Sequence, residues 1–117
     1  MNNSLFSKYN NKKTIIDGIT FSSKRESKRY CELKLLQSGK EIKDLTLQVP
    51  HILQIAFTDF EGVKHRAITY ISDFEYFDNK LKSLVVEDVK GMKTEVYKIK
   101  KKLFLYAYQD LIFREIT

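Results

Sequence analysis

Alternation of apolar and polar positions is clearest between residues 66 and 91, where RAITYISDFEYF and SLVVEDVKG read as two strands joined by a polar turn at Asp78-Asn79-Lys80. Strands favour β-branched and aromatic residues and are poor in aspartate, yet Asp73 lies inside the first run and Asp88 near the end of the second. Side chains alternate across a strand, so Asp88 and Lys90 share one face while Val89 points to the other. A hairpin pairing of the two runs brings Asp73 beside Asp88 and Lys90. Val85, Val86 and Val89 make the second strand apolar on both faces, as expected of a central strand covered on each side. Acids at the end of such a strand are expensive unless they bind something. Two carboxylates and an ammonium at one point suit a hard divalent cation and a polarised water, although an open sheet also carries ordinary Asp–Lys pairs.

Helical periodicity appears twice. Ser23 followed by Glu26 matches a capping box, and a helix is expected over residues 24–38, ended by Gly39. Its buried stripe is read as Tyr30, Leu33 and Leu36, joined by Cys31 and Leu35. A second helix is expected over residues 94–106, with Met92, Val96, Ile99, Leu103 and Tyr106 as the buried stripe and Lys93, Lys98, Lys100, Lys101 and Lys102 on the remaining faces.

Between these patterns, Asp17-Gly18 marks a short hairpin or turn, and residues 42–57 look extended. The single proline, Pro50, marks an edge, a bulge or a joint between two strands. Residues 59–62 turn the chain into a long strand beginning near Lys64, and residues 110–116 form the last strand. Residues 1–13 are polar and read as a basic arm, leaving one domain over residues 14–117. The expected class is α/β (α+β), a mixed central sheet with flanking helices in the order α-β-β-β-α-β.

Composition adds a partner. The chain has 117 residues, with 21 Lys+Arg against 15 Asp+Glu and a net charge of +6. The lysines cluster in KYNNKK, SKRESKR and KTEVYKIKKK, which favours a polyanion, most often nucleic acid. A single cysteine, Cys31, excludes an internal disulfide. No apolar run approaches a membrane span, and the start MNNSLFSKYNNKK has no signal-peptide core, so a cytoplasmic location is expected. His51 and His65 have no metal-ligand spacing and read as structural.

The order of elements, an acid in one strand and Asp-x-Lys ending the next, resembles the restriction-endonuclease-like PD-(D/E)-x-K nuclease superfamily. Over nearly its full length the chain also resembles a phage-borne family of small predicted endonucleases within it, through KYNNKKTIIDGITFSSKRESKRY, RAITYISDFEY, VVEDVKG and KTEVYKIKKKLF. The resemblance implies a Mg²⁺-dependent DNA endonuclease, with Mn²⁺ able to substitute, acting on duplexes, junctions or single strands in a bacterial host. It implies Asp73 and Asp88 as metal ligands, Glu26 as a further acid and metal ligand, and Lys90 as the residue orienting the attacking water. Gln48 would stand at the rim. Arg25, Lys28 and Arg29, with Lys93, Lys98, Lys101 and Lys102, would meet DNA phosphates. Ser72 stands where the motif has its proline, and Glu87 is a reserve ligand only if a bulge turns it inward. A homodimer would suit a junction substrate. The alternative is a nuclease-like DNA-binding or adaptor protein without catalysis.

Overall fold

A computed structural model describes residues 13–117, and the expected basic arm lies almost wholly outside them. The chain opens on a hairpin of β1 (Thr14–Ile16) and β2 (Ile19–Phe21). Asp17 and Gly18 both take positive φ (54° and 75°), the backbone that a two-residue Asp-Gly turn requires.

Helix α1 (Lys24–Ser38) begins where the capping box places it: the Ser23 side chain accepts a hydrogen bond from the Glu26 backbone N–H at 3.2 Å. Its end at Ser38, capped by Gly39, is also the expected one. Gly39 keeps φ −80°, and Lys40 (φ 62°) makes the left-handed step, so that the Glu41 N–H reaches the Leu36 carbonyl and the Lys40 N–H the Gln37 carbonyl. Ser27, Tyr30 and Leu33 are buried and Leu36 packs beside them, whereas Cys31 and Leu35 face solvent.

β3 (Ile42–Gln54) is a single long strand that runs through Pro50 on the outer edge of the sheet, with positive φ at Asp44 (59°) and Gln48 (53°). The missing N–H is tolerated because an edge strand has one unpaired side. The run expected as one strand from Lys64 is divided. β4 (Phe57–Thr58) and β5 (Lys64–His65) pair in a ribbon of their own, and β6 (Ile68–Asp78) starts afresh. Asp59 explains the break: its side chain accepts the N–H groups of Glu61 and Val63, and Gly62 takes φ 88°, folding the segment back on itself.

β7 (Ser83–Val89), α2 (Glu95–Ala107) and β8 (Ile112–Ile116) complete the chain. The central sheet has the order β3-β6-β7-β8, antiparallel across the first two pairings and parallel across the last. Its core therefore has the expected order α-β-β-β-α-β, with α2 as the crossover into β8. Val85 and Val89 sit with Phe21, Tyr30, Leu33 and Phe74 on the α1 side, and Val86 with Tyr70 and Phe104 on the α2 side. β7 is thus covered on both faces.

The stripe expected to bury α2 is the wrong one. Tyr97 and Phe104 face the sheet, while Met92, Val96, Ile99, Leu103 and Tyr106 are all exposed. α2 carries two apolar stripes, and the sheet takes the aromatic one because His51, Tyr70 and Phe113 offer ring partners for Phe104 at 5.0, 5.0 and 5.8 Å. Among the described residues no helix is long and apolar enough to cross a membrane.

Candidate active site

The β6–β7 register sets Phe74 opposite Glu87, and one step further along it Asp73 faces Asp88. The Asp73 carboxylate accepts the Val89 N–H at 2.7 Å, and the Asp88 carboxylate accepts the Tyr70 hydroxyl. Asp88 is almost completely buried. Burial, and next a side-chain hydrogen bond with Asp88, push the Asp73 carboxyl up to about 7, against the opposing pull of the Val89 N–H. A half-buried and a buried carboxylate thus stand side by side, an arrangement that a cation between them would relieve.

Lys90 is fixed at both ends. Its backbone N–H donates to the Ile116 carbonyl at 2.9 Å, and its Nζ lies 3.4 Å from Asp88 Oδ1 and 4.6 Å from the centre of the Tyr97 ring. The ring face gives the ammonium a second favourable contact. Gln48 stands at the rim, its amide 3.5 Å from Asp73 Oδ1.

A cleft of about 640 Å³ opens beside this group, lined by Ser23, Lys24, Arg25, Glu26, Val89, Gly91 and Met92. Glu26 accepts the Ser22 hydroxyl at 2.6 Å, and its charge contributes to the rise at Asp73. It does not close on the two aspartates: among the described residues no three His, Cys, Asp or Glu side chains form a ready metal-binding group. Asp73 and Asp88 nonetheless suit a hard cation, being two neighbouring oxygen donors on adjacent strands. Arg25 crosses the cleft, its guanidinium 3.5 Å from the Lys90 carbonyl, and it occupies the space that a side chain at Gly91 would need.

Residues 6–117 match the profile of a family described as Protein of unknown function (DUF1064). The chain belongs to that family. No curated protein and no solved structure matches it.

In this DUF1064 chain the basic residues expected to face a nucleic acid divide into two groups. Arg29 is committed to the interior: its Nε and NH2 each donate at 2.7 Å to Glu87, whose side chain has no exposure and also accepts the Tyr76 hydroxyl. This removes Arg29 from the open surface and Glu87 from the site, since Glu87 lies on the opposite face of β7 with no bulge to turn it. Lys93 and Lys101 pair with Glu115 at 3.3 and 3.0 Å, and Lys98 with Glu95 at 3.2 Å. Glu115 also accepts the Tyr97 hydroxyl, and these donors, that hydroxyl first, hold its carboxyl down at about 2. Arg25, Lys28 and Lys102 remain exposed. His51 lies 3.1 Å from Glu75 and edge-on to Phe104, a packed position away from the acids.

Sequence reasoning missed Tyr70, Tyr97 and Glu115. Tyr70 is spaced from Asp73 like any residue of an aromatic strand, and only the contact between β6 and β7 singles it out.

Proposed function

We propose that the chain is a metal-dependent DNA endonuclease built on the PD-(D/E)-x-K plan, using Mg²⁺ or Mn²⁺. The observation that carries this reading is the opposition of Asp73 and Asp88 on neighbouring strands, with Lys90 next on the Asp88 face and the basic cleft alongside. A bound divalent ion would supply charge neutralisation at the phosphoryl oxygens and a polarised water. Asp73 and Asp88 would hold it, the cation offsetting the burial that raises the Asp73 carboxyl. Tyr70 keeps Asp88 in one orientation. Lys90 would orient the attacking water and offset charge on the scissile phosphate. Glu26, in the lining of the cleft, would be the further acid and would act on the pair through a water. Arg25 and Lys28 would hold flanking phosphates, contacts that position a strand without reading its bases. A phage origin, a junction substrate and action in the bacterial cytoplasm belong to the same proposal.

A second reading, DNA binding without turnover, has one observation in its favour: Glu26 stays outside the acid pair.

Cleavage of labelled duplex, single-stranded and four-way-junction DNA with Mg²⁺, Mn²⁺ or EDTA separates the two. Wild type is expected to cut at least one substrate only with metal, and Asp88→Ala to lose at least about 100-fold in rate while still binding DNA. Tight binding with no cutting of any substrate would leave the second reading.

A further inference from the structure

A lysine does not keep its ammonium in one place unaided, because a flexible four-carbon stem ends in three rotatable donors. Lys90 follows directly on β7, and its side chain is 30% exposed, with Nζ 3.4 Å from Asp88 Oδ1. That is longer than the usual charge-assisted hydrogen bond, and by itself it holds the group loosely. The ring of Tyr97 supplies a second constraint. Its centre lies 4.6 Å from the ammonium, the shortest lysine–ring contact among the described residues, against 5.1 Å for Lys43, 5.5 Å for Lys101 and 6.0 Å for Lys34. A ring face attracts a cation through its quadrupole and offers no carboxylate lone pair. The donors of Lys90 therefore stay available to a water or a phosphoryl oxygen.

The ring itself is fixed. Tyr97 is buried in the first turn of α2, in one cluster with Tyr70, Val86 and Phe104. Its backbone N–H donates to the Thr94 hydroxyl at 3.1 Å, and its own hydroxyl donates to Glu115 Oε2 at 2.6 Å. Glu115 stands opposite Asp88 in the β7–β8 register, so the two acids lie side by side and would compete for Lys90 if both were free. Glu115 is not free. Its other oxygen, Oε1, takes Lys101 at 3.0 Å and Lys93 at 3.3 Å. Lys90 is thereby left to Asp88.

We propose that Tyr97 is the positioning residue of this site: its ring face, oriented by Glu115, seats the Lys90 ammonium beside Asp88. The catalytic consequence rests on the nuclease reading above, but the seat itself does not. Tyr97 acts through Lys90, by keeping the ammonium where the attacking water and the scissile phosphate would meet.

Two measurements test this, the first indifferent to activity. In protein carrying isotope-labelled lysine, the ε-methylene NMR signal of Lys90 is identified by its loss in Lys90→Gln. It is expected upfield of its position in the urea-unfolded chain, because protons over a ring face are shielded. Tyr97→Phe should keep that shift, and Tyr97→Met, which fills the space without a ring, should abolish it. In DNA cleavage with Mg²⁺, Tyr97→Phe should stay within about 3-fold of wild type, while Tyr97→Met should lose about 10-fold in kcat with KM unchanged. Should Tyr97→Met fail to fold, the spectra of wild type and Tyr97→Phe still decide whether the ring holds the lysine. An unshifted Lys90 signal in wild type would overturn the proposal. So would a shift that survives Tyr97→Met, or a folded Tyr97→Met as fast as wild type. Tyr97→Phe as slow as Tyr97→Met would overturn it too, by giving the role to the hydroxyl. A wild type that shows the shift yet cuts no DNA would overturn the nuclease reading and leave the seat standing.

Discussion

Asp73 is the residue at which folding and ligand chemistry meet. Its carboxyl rises from 3.8 in the unfolded chain to about 7 in the fold, first through burial and then through Asp88. Between those values the folded state binds more proton than the unfolded one. Stability of the metal-free protein therefore falls as pH rises through that interval. The melting temperature of wild type is expected to drop between about pH 4 and about pH 7, while Asp73→Asn, which does not ionise, should stay nearly flat. Mg²⁺ or Mn²⁺ should restore wild type at the upper pH and leave Asp73→Asn unmoved. A wild-type profile with no slope would refute the raised Asp73 carboxyl. Glu115, held low, works at the other end of the scale, its contribution being lost only as pH falls from 4.5 towards about 2. Asp73, Asp88 and Lys90 were legible in the sequence because strand alternation fixes which side chains share a face. Arg29 was not, because its partner Glu87 is 58 positions away and nothing local announces it.

Among the elements, the ends were easier to read than the faces. The Ser23 cap and the Asp17-Gly18 turn are decided by neighbours within a few residues, and the structure places each where local chemistry does. The buried face of α2 depends instead on what the sheet offers. Periodicity marks two apolar stripes on that helix and cannot choose between them, whereas His51, Tyr70 and Phe113 can. The same holds for the split between β5 and β6, which Asp59 imposes through its own turn. The Arg29–Glu87 pair joins α1 to β7 and so braces the strand that carries Asp88. Arg29→Ala leaves a buried carboxylate without its ion partner and is expected to cost about 3–5 kcal/mol in urea unfolding. DNA affinity per folded molecule should not change, in contrast to a residue that touches phosphate.

Over the whole molecule, a net charge of +6 overstates the surface open to a polyanion, because Lys93 and Lys101 already face Glu115 and Arg29 is turned inward. Arg25 and Lys28 on α1 stay exposed and make no ion pair among the described residues. DNA binding measured across a salt series should lose about one unit of log–log slope for each of Arg25→Ala and Lys28→Ala, and less for Lys101→Ala. Equal losses from all three would mean that Glu115 releases its lysines to the nucleic acid. A last consequence follows from β3. An outer strand of this length is a template on which further chains can stack into fibres. Here Asp44 and Gln48 bend the backbone with positive φ, and Pro50 withholds a donor, so the free border is broken three times within seven residues. Growth by strand addition is thereby discouraged along β3, the longer of the two outer strands.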